Sequence, residues 1–260
     1  MNVIVCVKRV PMTQEVNLKI DASQKEVDES RLAYVMNEWD SYAAEEAVRI
    51  KEKFGGTVTA VTIGGKDDEE VLRRCLAMGA DRAIRVEPEQ HPLDGFVIAG
   101  VLATITRDID YDLVLTGVQA EDHNEGIVGS MLSERLGAAH AAVVNRLALD
   151  ENKSASINAE LEGGVDEVLT LKLPAVLSIQ SGINEPRYVS IMAVKKARKK
   201  EMKVIHLNEL NLSETDLARQ TIIEAVFMPP ETAGAEMIEG SPPEVADLLL
   251  QVMKEKGVIE

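Results

Sequence analysis

The chain has few cysteines, few aromatics and little positive charge for its size. Only Cys6 and Cys75 occur in 260 residues. Two are too few for a disulfide framework, and their spacing fits no zinc pattern. A reducing, cytoplasmic setting is therefore expected. Phe, Trp and Tyr together make up 3%, which leaves no stacking platform for single-stranded nucleic acid. Lys and Arg number 28 against 44 Asp and Glu, a formal net charge of -16. Such a surface repels phosphate backbones, so no nucleic-acid partner is expected. The apolar stretch Phe96 to Ile105 falls far short of a membrane span. Val3 to Val7 is followed, not preceded, by Lys8 and Arg9, the reverse of a secretory leader.

What is present is ordinary for a globular chain: 45% hydrophobic and 28% charged residues, enough for a sizeable core. Val3 to Val7 reads as a strand buried on both faces. Asp40 is expected to cap a helix carrying Ala43, Ala44, Ala47, Val48 and Ile50, stopped by Gly55-Gly56. Thr57 to Gly64 reads as a second strand. Asp67 and Glu70 have capping-box spacing for a helix with Val71, Leu72, Leu76 and Met78, ended by Gly79. Arg82 to Val86 is a third strand, Asp94 to Thr106 a third helix and Asp112 to Gly117 a fourth strand. The alternation implies a doubly wound α/β fold, with a mainly parallel sheet and helices on both faces. Ligands in such sheets sit beyond the carboxyl ends of the strands. Attention therefore falls on Lys8 to Thr13, Asn37 to Asp40, Ile63 to Lys66 and Gly117 to Gly129.

From Ala141 the pattern changes. Ala141 to Leu147, Ser154 to Glu160 and Glu167 to Leu171 read as added strands, with turns at Asp150-Glu151-Asn152 and Glu162-Gly163-Gly164. Pro174 to Ile179 is another buried strand. Beyond Tyr188 the chain turns basic, with Lys195, Lys196, Arg198, Lys199, Lys200 and Lys203 against Glu201. Asn208 to Gly240 shows little periodicity. Pro242-Pro243 then opens a helix with Val245, Leu248, Leu249 and Val252 on one face. This arm either docks on another chain or straps its own domain.

The most informative loop runs from Gly117 to Met131. Gly126 and Gly129 let backbone approach a ligand, and the helix that follows offers its N-terminus to an anion. Glu121, Asp122 and Glu125 make the loop acidic, so backbone groups and Ser130 would have to hold any phosphate. Enzyme signatures are scarce: there is neither GxxxxGK[ST] nor GxSxG. His91, His123, His140 and His206 show no metal spacing, and Asp67 to Glu70 reads as a dipole-favoured helix start.

Several segments carry a resemblance. They are Val5 to Pro11, Met36-Asn37-Glu38-Trp39-Asp40, Glu45-Glu46-Ala47, Ala77 to Asp81 and Asp112 to Asp122. Pro174 to Leu177, Asn184-Glu-Pro-Arg-Tyr188 and the basic Lys195 to Lys200 complete the set. In this order and spacing they resemble the β subunit of electron-transfer flavoprotein over essentially the whole chain. Asn37 to Asp40, His140 to Val144 and Met237 to Gly240 look like the branch paired with methylotroph amine dehydrogenases.

The resemblance implies an electron carrier, not an enzyme. The small subunit would pair with an α subunit that holds most of the FAD. Electrons would pass from flavin dehydrogenases to an acceptor such as a quinone oxidoreductase. The β subunit would bind structural AMP at Cys6, Asn37, Glu38, Trp39, Asp40 and Ile63. Along the loop it would use Ala120, Glu121, Asp122, His123, Asn124, Glu125, Gly126, Ile127, Val128, Gly129, Ser130 and Met131. Residues 1–207 would be the nucleotide-binding domain and 208–260 an arm on the partner. Ile191, where the family usually has Leu, would anchor the dehydrogenase, with Tyr188, Lys195, Lys196, Lys199 and Lys200 around it. Family members that bifurcate electrons hold a second FAD and carry an Asp-Gly-Asp-Thr run. Here the run is Asp122-His-Asn-Glu125; Val128 agrees with that class, but the Gly and Thr are missing. A stand-alone adenine-nucleotide protein of the universal-stress type leaves the basic segment and arm unexplained. An ATP-consuming pyrophosphatase relative needs a Ser-Gly-Gly-type loop where Lys8-Arg9-Val10-Pro11 stands.

Overall fold

Side-chain alternation along the first strand sets two cores. Val3, Val5 and Val7 face one side of the sheet, and Ile4 and Cys6 face the other. The computed structural model describes residues 1–14, 16–89, 93–150, 154–230, 234–235 and 237–259. His91 lies outside these residues, as does most of the turn expected at Asp150-Glu151-Asn152. The elements are β1 (Val3–Cys6), β2 (Arg9–Pro11), β3 (Tyr34–Met36), α1 (Glu38–Phe54), β4 (Val58–Ile63), α2 (Glu69–Met78) and β5 (Arg82–Glu87). There follow α3 (Gly95–Arg107), β6 (Leu113–Gly117), α4 (Val128–Leu136), β7 (Ala139–Leu149), β8 (Ser154–Leu161), β9 (Val165–Lys172) and β10 (Ala175–Ile179). Last come α5 (Ile191–Ala197), β11 (Met202–His206), α6 (Glu214–Leu217) and α7 (Pro242–Glu255).

The main sheet runs β11-β5-β4-β1-β6-β10-β7-β8-β9. Neighbours are parallel from β11 to β7, and β8 and β9 extend it antiparallel. The expected α/β class is the observed one. The added strands are one edge of the same sheet. Buried residues of α1 and α2 pack on the Val3 face, and those of α3 and α4 on the Ile4 face. Strand order reverses at β1, which has β4 on one side and β6 on the other. A crevice opens beyond the strand ends at such a switch point.

Two local expectations need correction. Asp40 does not cap α1: Asn37 flanks the helix, and Asp40 lies inside its first turn. The Asp67–Glu70 capping box does not form. A short 3-10 turn, Lys66–Asp68, winds straight into α2, and Asp68 is already helical at φ -69, ψ -8. The extended residue before this turn is Gly65, which has no side chain to cap with. The basic segment folds into α5 and then β11, which pairs with β5. Only Ile205 is buried in β11, so the strand leaves no apolar run to read.

The arm divides. Its root is strapped to the domain: Gln220 and Thr221 donate backbone N–H groups to Asp94 Oδ2 at 2.5 and 3.0 Å. Arg135 pairs with Asp216 at 3.7 Å, and Val226 N–H donates to the Gln24 carbonyl at 2.8 Å. Asp94 also caps α3, accepting from Val97 N–H at 3.0 Å. Further along, Ile222, Phe227, Met228 and Met237 are exposed, and α7 buries no residue. Among the described residues no helix is long and apolar enough to cross a membrane.

Candidate functional site

A cavity opens at the carboxyl ends of β1, β4 and β6, on the α3–α4 side. Cys6, Val7 and Lys8 line it from β1; Val61, Thr62 and Ile63 from β4; and Thr116 to Ala120 from β6. Leu93, Gly95, Ile98 and Leu102 form the α3 wall, and His123 with Glu125 to Val128 closes the side below α4. The wall between strands and α3 is largely apolar and suits a flat ring. The opposite rim is polar backbone.

That rim is built for close approach. Asn124 and Gly126 take positive φ of 52° and 64°, which turns the loop back toward the cavity. The helix α4 starts at Val128, and its flanking residue Ile127 supplies no side-chain cap. Its first N–H groups therefore remain available to an anion. Gly129 sets how deep this helix end sits: a Cβ there would stand 2.1 Å from Ser178 Oγ.

The start of α1 ties the loops together from behind. Asp40 accepts the Lys8 N–H at 2.7 Å and the Gly117 N–H at 3.0 Å. Asn37 donates to the Gln119 carbonyl at 2.8 Å and accepts the Glu121 N–H at 3.2 Å. Two side chains on one helix turn thus fix the loops after β1 and β6.

The loop's acidity is partly neutralised. Lys8 Nζ meets Asp122 Oδ2 at 2.6 Å. Burial pushes the Glu121 carboxyl up, helped by Glu38 and Asp122 nearby. Burial also pushes Asp40 up to about 7, against the pull of its hydrogen bonds. The Cys6 thiol is pushed up to about 12 by burial and by Asp40, so it is an un-ionised wall residue.

Of the expected nucleotide residues, Cys6, Asp40, Ile63, Ala120, His123, Glu125, Gly126, Ile127 and Val128 line the cavity. The others surround it. Asn37 holds the loop, Glu38 is exposed, and Trp39 Nε1 donates to Gln180 Oε1 at 2.8 Å. Glu121 is held by Asn37 and Asp122 by Lys8, while Asn124 shapes the turn. Gly129 packs on Ser178, Ser130 Oγ donates to the Ile127 carbonyl at 2.9 Å, and Met131 packs into the core. Sequence reasoning missed the α3 wall. The apolar run Phe96 to Ile105 was its signal, since a helix apolar all round must be covered on both sides.

With this geometry in view, comparison with known proteins is decisive. The electron transfer flavoprotein domain model matches residues 25–210. The chain is 34% identical to "Electron transfer flavoprotein subunit beta" of Bacillus subtilis, over 100% of both chains. The same-named protein of Methylophilus methylotrophus is 36% identical over 98% of both. This chain belongs to the electron-transfer flavoprotein β-subunit family. It is also 33% identical to "Caffeyl-CoA reductase-Etf complex subunit CarD" of Acetobacterium woodii, over 100% of both. These identities are too even to sort the chain into one branch. Membership carries with it flavin-linked electron transport and a second subunit.

The expected docking residues Tyr188, Ile191, Lys195, Lys196, Lys199 and Lys200 are all exposed. Tyr188, Ile191 and Met192 are 90%, 75% and 73% exposed. Ile191 is the first residue of α5, not part of a loop, and Ser190 caps that helix by accepting the Ala193 N–H at 3.2 Å. Lys195, Lys196 and Lys199 are exposed beside it. Lys200 differs from these three: its ammonium donates to the Leu76 and Ala80 carbonyls at 2.9 and 2.7 Å. It caps the end of α2 instead of standing free.

Proposed function

We propose that this chain is the small subunit of a heterodimeric electron carrier and holds one AMP in the cavity beyond β1, β4 and β6. The uncapped α4 N-terminus at the cavity rim is the observation that carries this reading. The adenine would lie between the β1–β4 strand ends and α3, and the phosphate would take the N–H groups at Val128 to Ser130. Asp40 and Asn37 serve by holding that cradle in shape. Lys8 keeps Asp122 occupied, so this carboxylate is not left to repel the phosphate.

Glu125 favours AMP over a second FAD. Its Oε2 lies 3.2 Å from where a Cβ on Gly95 would be, on the cavity wall. A longer pyrophosphate extending along this wall would meet that charge, whereas a monophosphate confined to α4 would not. FAD, held mainly by the α subunit, supplies the electron-carrying chemistry. The exposed apolar residues from Ile222 to α7 fit a role as the arm that covers the partner. The Tyr188–Ile191–Met192 face, flanked by lysines, fits a docking surface for acidic dehydrogenases, with Ile191 as the anchor.

Denaturing the purified heterodimer and identifying the released nucleotides tests the proposal. One AMP and one FAD per heterodimer are expected, and AMP alone from the isolated chain. Two FAD and no AMP would establish the bifurcating reading instead.

A further inference from the structure

Arg187 uses all five guanidinium hydrogens. Nε and Nη2 donate to Glu45 at 2.8 and 3.0 Å. Nη1 and Nη2 donate to Glu52 at 2.7 and 3.1 Å. The second Nη1 hydrogen reaches the Met78 carbonyl at 3.3 Å, and the Arg187 backbone N–H adds a bond to Glu45 Oε2 at 3.1 Å. Three residues earlier, Asn184 Nδ2 donates to the Tyr42 carbonyl and to Glu46 Oε2, both at 3.0 Å. One short segment is therefore fastened to α1 by Glu45, Glu46, Glu52 and the Tyr42 carbonyl, and to the end of α2 by the Met78 carbonyl. At the far end of α5, Lys200 is fastened to α2, and Ala197 between them is 2% exposed.

The outward residues stand immediately beside these fastenings. Tyr188 follows Arg187 in the chain, and Ile191 and Met192 come within five residues. A planar fork bound to two carboxylates fixes direction as well as distance. Loops of this length are otherwise free to move, and an anchor side chain loses binding when its backbone must be ordered first.

We propose that Arg187 is a positioning residue for donor docking: it fixes the segment Asn184 to Ser190 on α1 and so sets where Ile191 and Met192 stand. The proposal rests on the reading of that face as the docking surface. Glu45 is 5% exposed, so removing its partner altogether strands a buried charge. Arg187→Lys keeps the charge but loses the double fork. Glu52→Gln loosens only the exposed half.

The test uses the full heterodimer and the dehydrogenase that co-purifies with it from the native source. With Arg187→Lys, amides 187–194 should exchange about tenfold faster while β1 and β4 amides keep their rates. The KM for the heterodimer as electron acceptor should rise about tenfold, with kcat and bound nucleotide unchanged. Glu52→Gln should give the same pattern at smaller size. Unchanged exchange at 187–194, equal loosening of the core strands, or a loosened segment with an unchanged KM would each overturn the positioning role. Ile191→Ala separates the two ideas. If it leaves KM unchanged, the docking reading fails and the proposal falls with it. If it raises KM while Arg187→Lys does not, only the positioning role is overturned.

Discussion

Gly129→Ala tests whether the depth of the α4 N-terminus governs nucleotide retention. The new methyl carbon would lie 2.1 Å from Ser178 Oγ and 3.0 Å from Thr116 Oγ1. An unstrained contact needs about 3.5 Å. Either the first turn of α4 backs away by about 1 Å, or Ser178 swings aside and loses its 3.1 Å bond to Thr116. Both routes cost about 1–3 kcal/mol of stability. A 1 Å retreat stretches an N–H···O bond of about 2.9 Å beyond useful length. Losing one such bond to a charged phosphate costs about 1.5–3 kcal/mol, or roughly 10- to 100-fold in affinity. Calorimetric titration of AMP into nucleotide-free protein, with a thermal melt beside it, measures both. Ser178→Ala supplies the control. It removes the clashing oxygen and leaves Thr116 Oγ1 at 3.0 Å, which must give by a few tenths of an ångström, and Ser178 Cβ at an ordinary 3.5 Å. The double variant should regain most of the lost affinity. Unchanged AMP affinity in Gly129→Ala would refute the reasoning, as would a folded double variant binding no better than the single one.

Two further outcomes follow from buried carboxylates. Burial raises Asp40 to about 7 in the folded chain, from an ordinary value near 4, so its contribution is present in acid and lost as pH rises through about 7. The stability of the wild type relative to Asp40→Asn should thus fall between about pH 4 and 7 and then level; parallel melting curves would contradict this. Burial pushes the Asp94 carboxyl up, but bonds from Val97, Gln220 and Thr221 outweigh it and hold it below its ordinary value. Asp94→Ser keeps a capping oxygen for α3 but loses the second acceptor, so trypsin should cut after Arg219 about tenfold faster while the sheet stays intact. Cleavage at the wild-type rate would show that other contacts hold the arm.

What could be read in advance depended on how far apart the interacting groups lie in sequence. Val3 to Val7, the helix beginning at Asp94 and the stop at Gly55 are local signals, and each sits where expected. Asp40 misled because an aspartate near a helix start reads locally as a cap. Its carboxylate instead serves backbone groups 32 and 77 positions away. Lys200 misled in the same way. In a run of cations it reads as solvated, yet its ammonium meets carbonyls 124 and 120 positions earlier. The α3 wall was hidden for a different reason: a helix apolar on all sides carries no direction, so its inward face cannot be assigned before the sheet order is known. Gly117 and Gly129 mark where such distant packing leaves a trace. A Cβ at Gly117 would stand 2.4 Å from Asp40 Oδ1, and one at Gly129 2.1 Å from Ser178 Oγ. Glycines at the end of a central strand and at the start of the next helix are thus the local imprint of a polar side chain arriving from elsewhere. Read that way, they point to the cradle even though neither the staple nor the hydroxyl behind it is near in sequence.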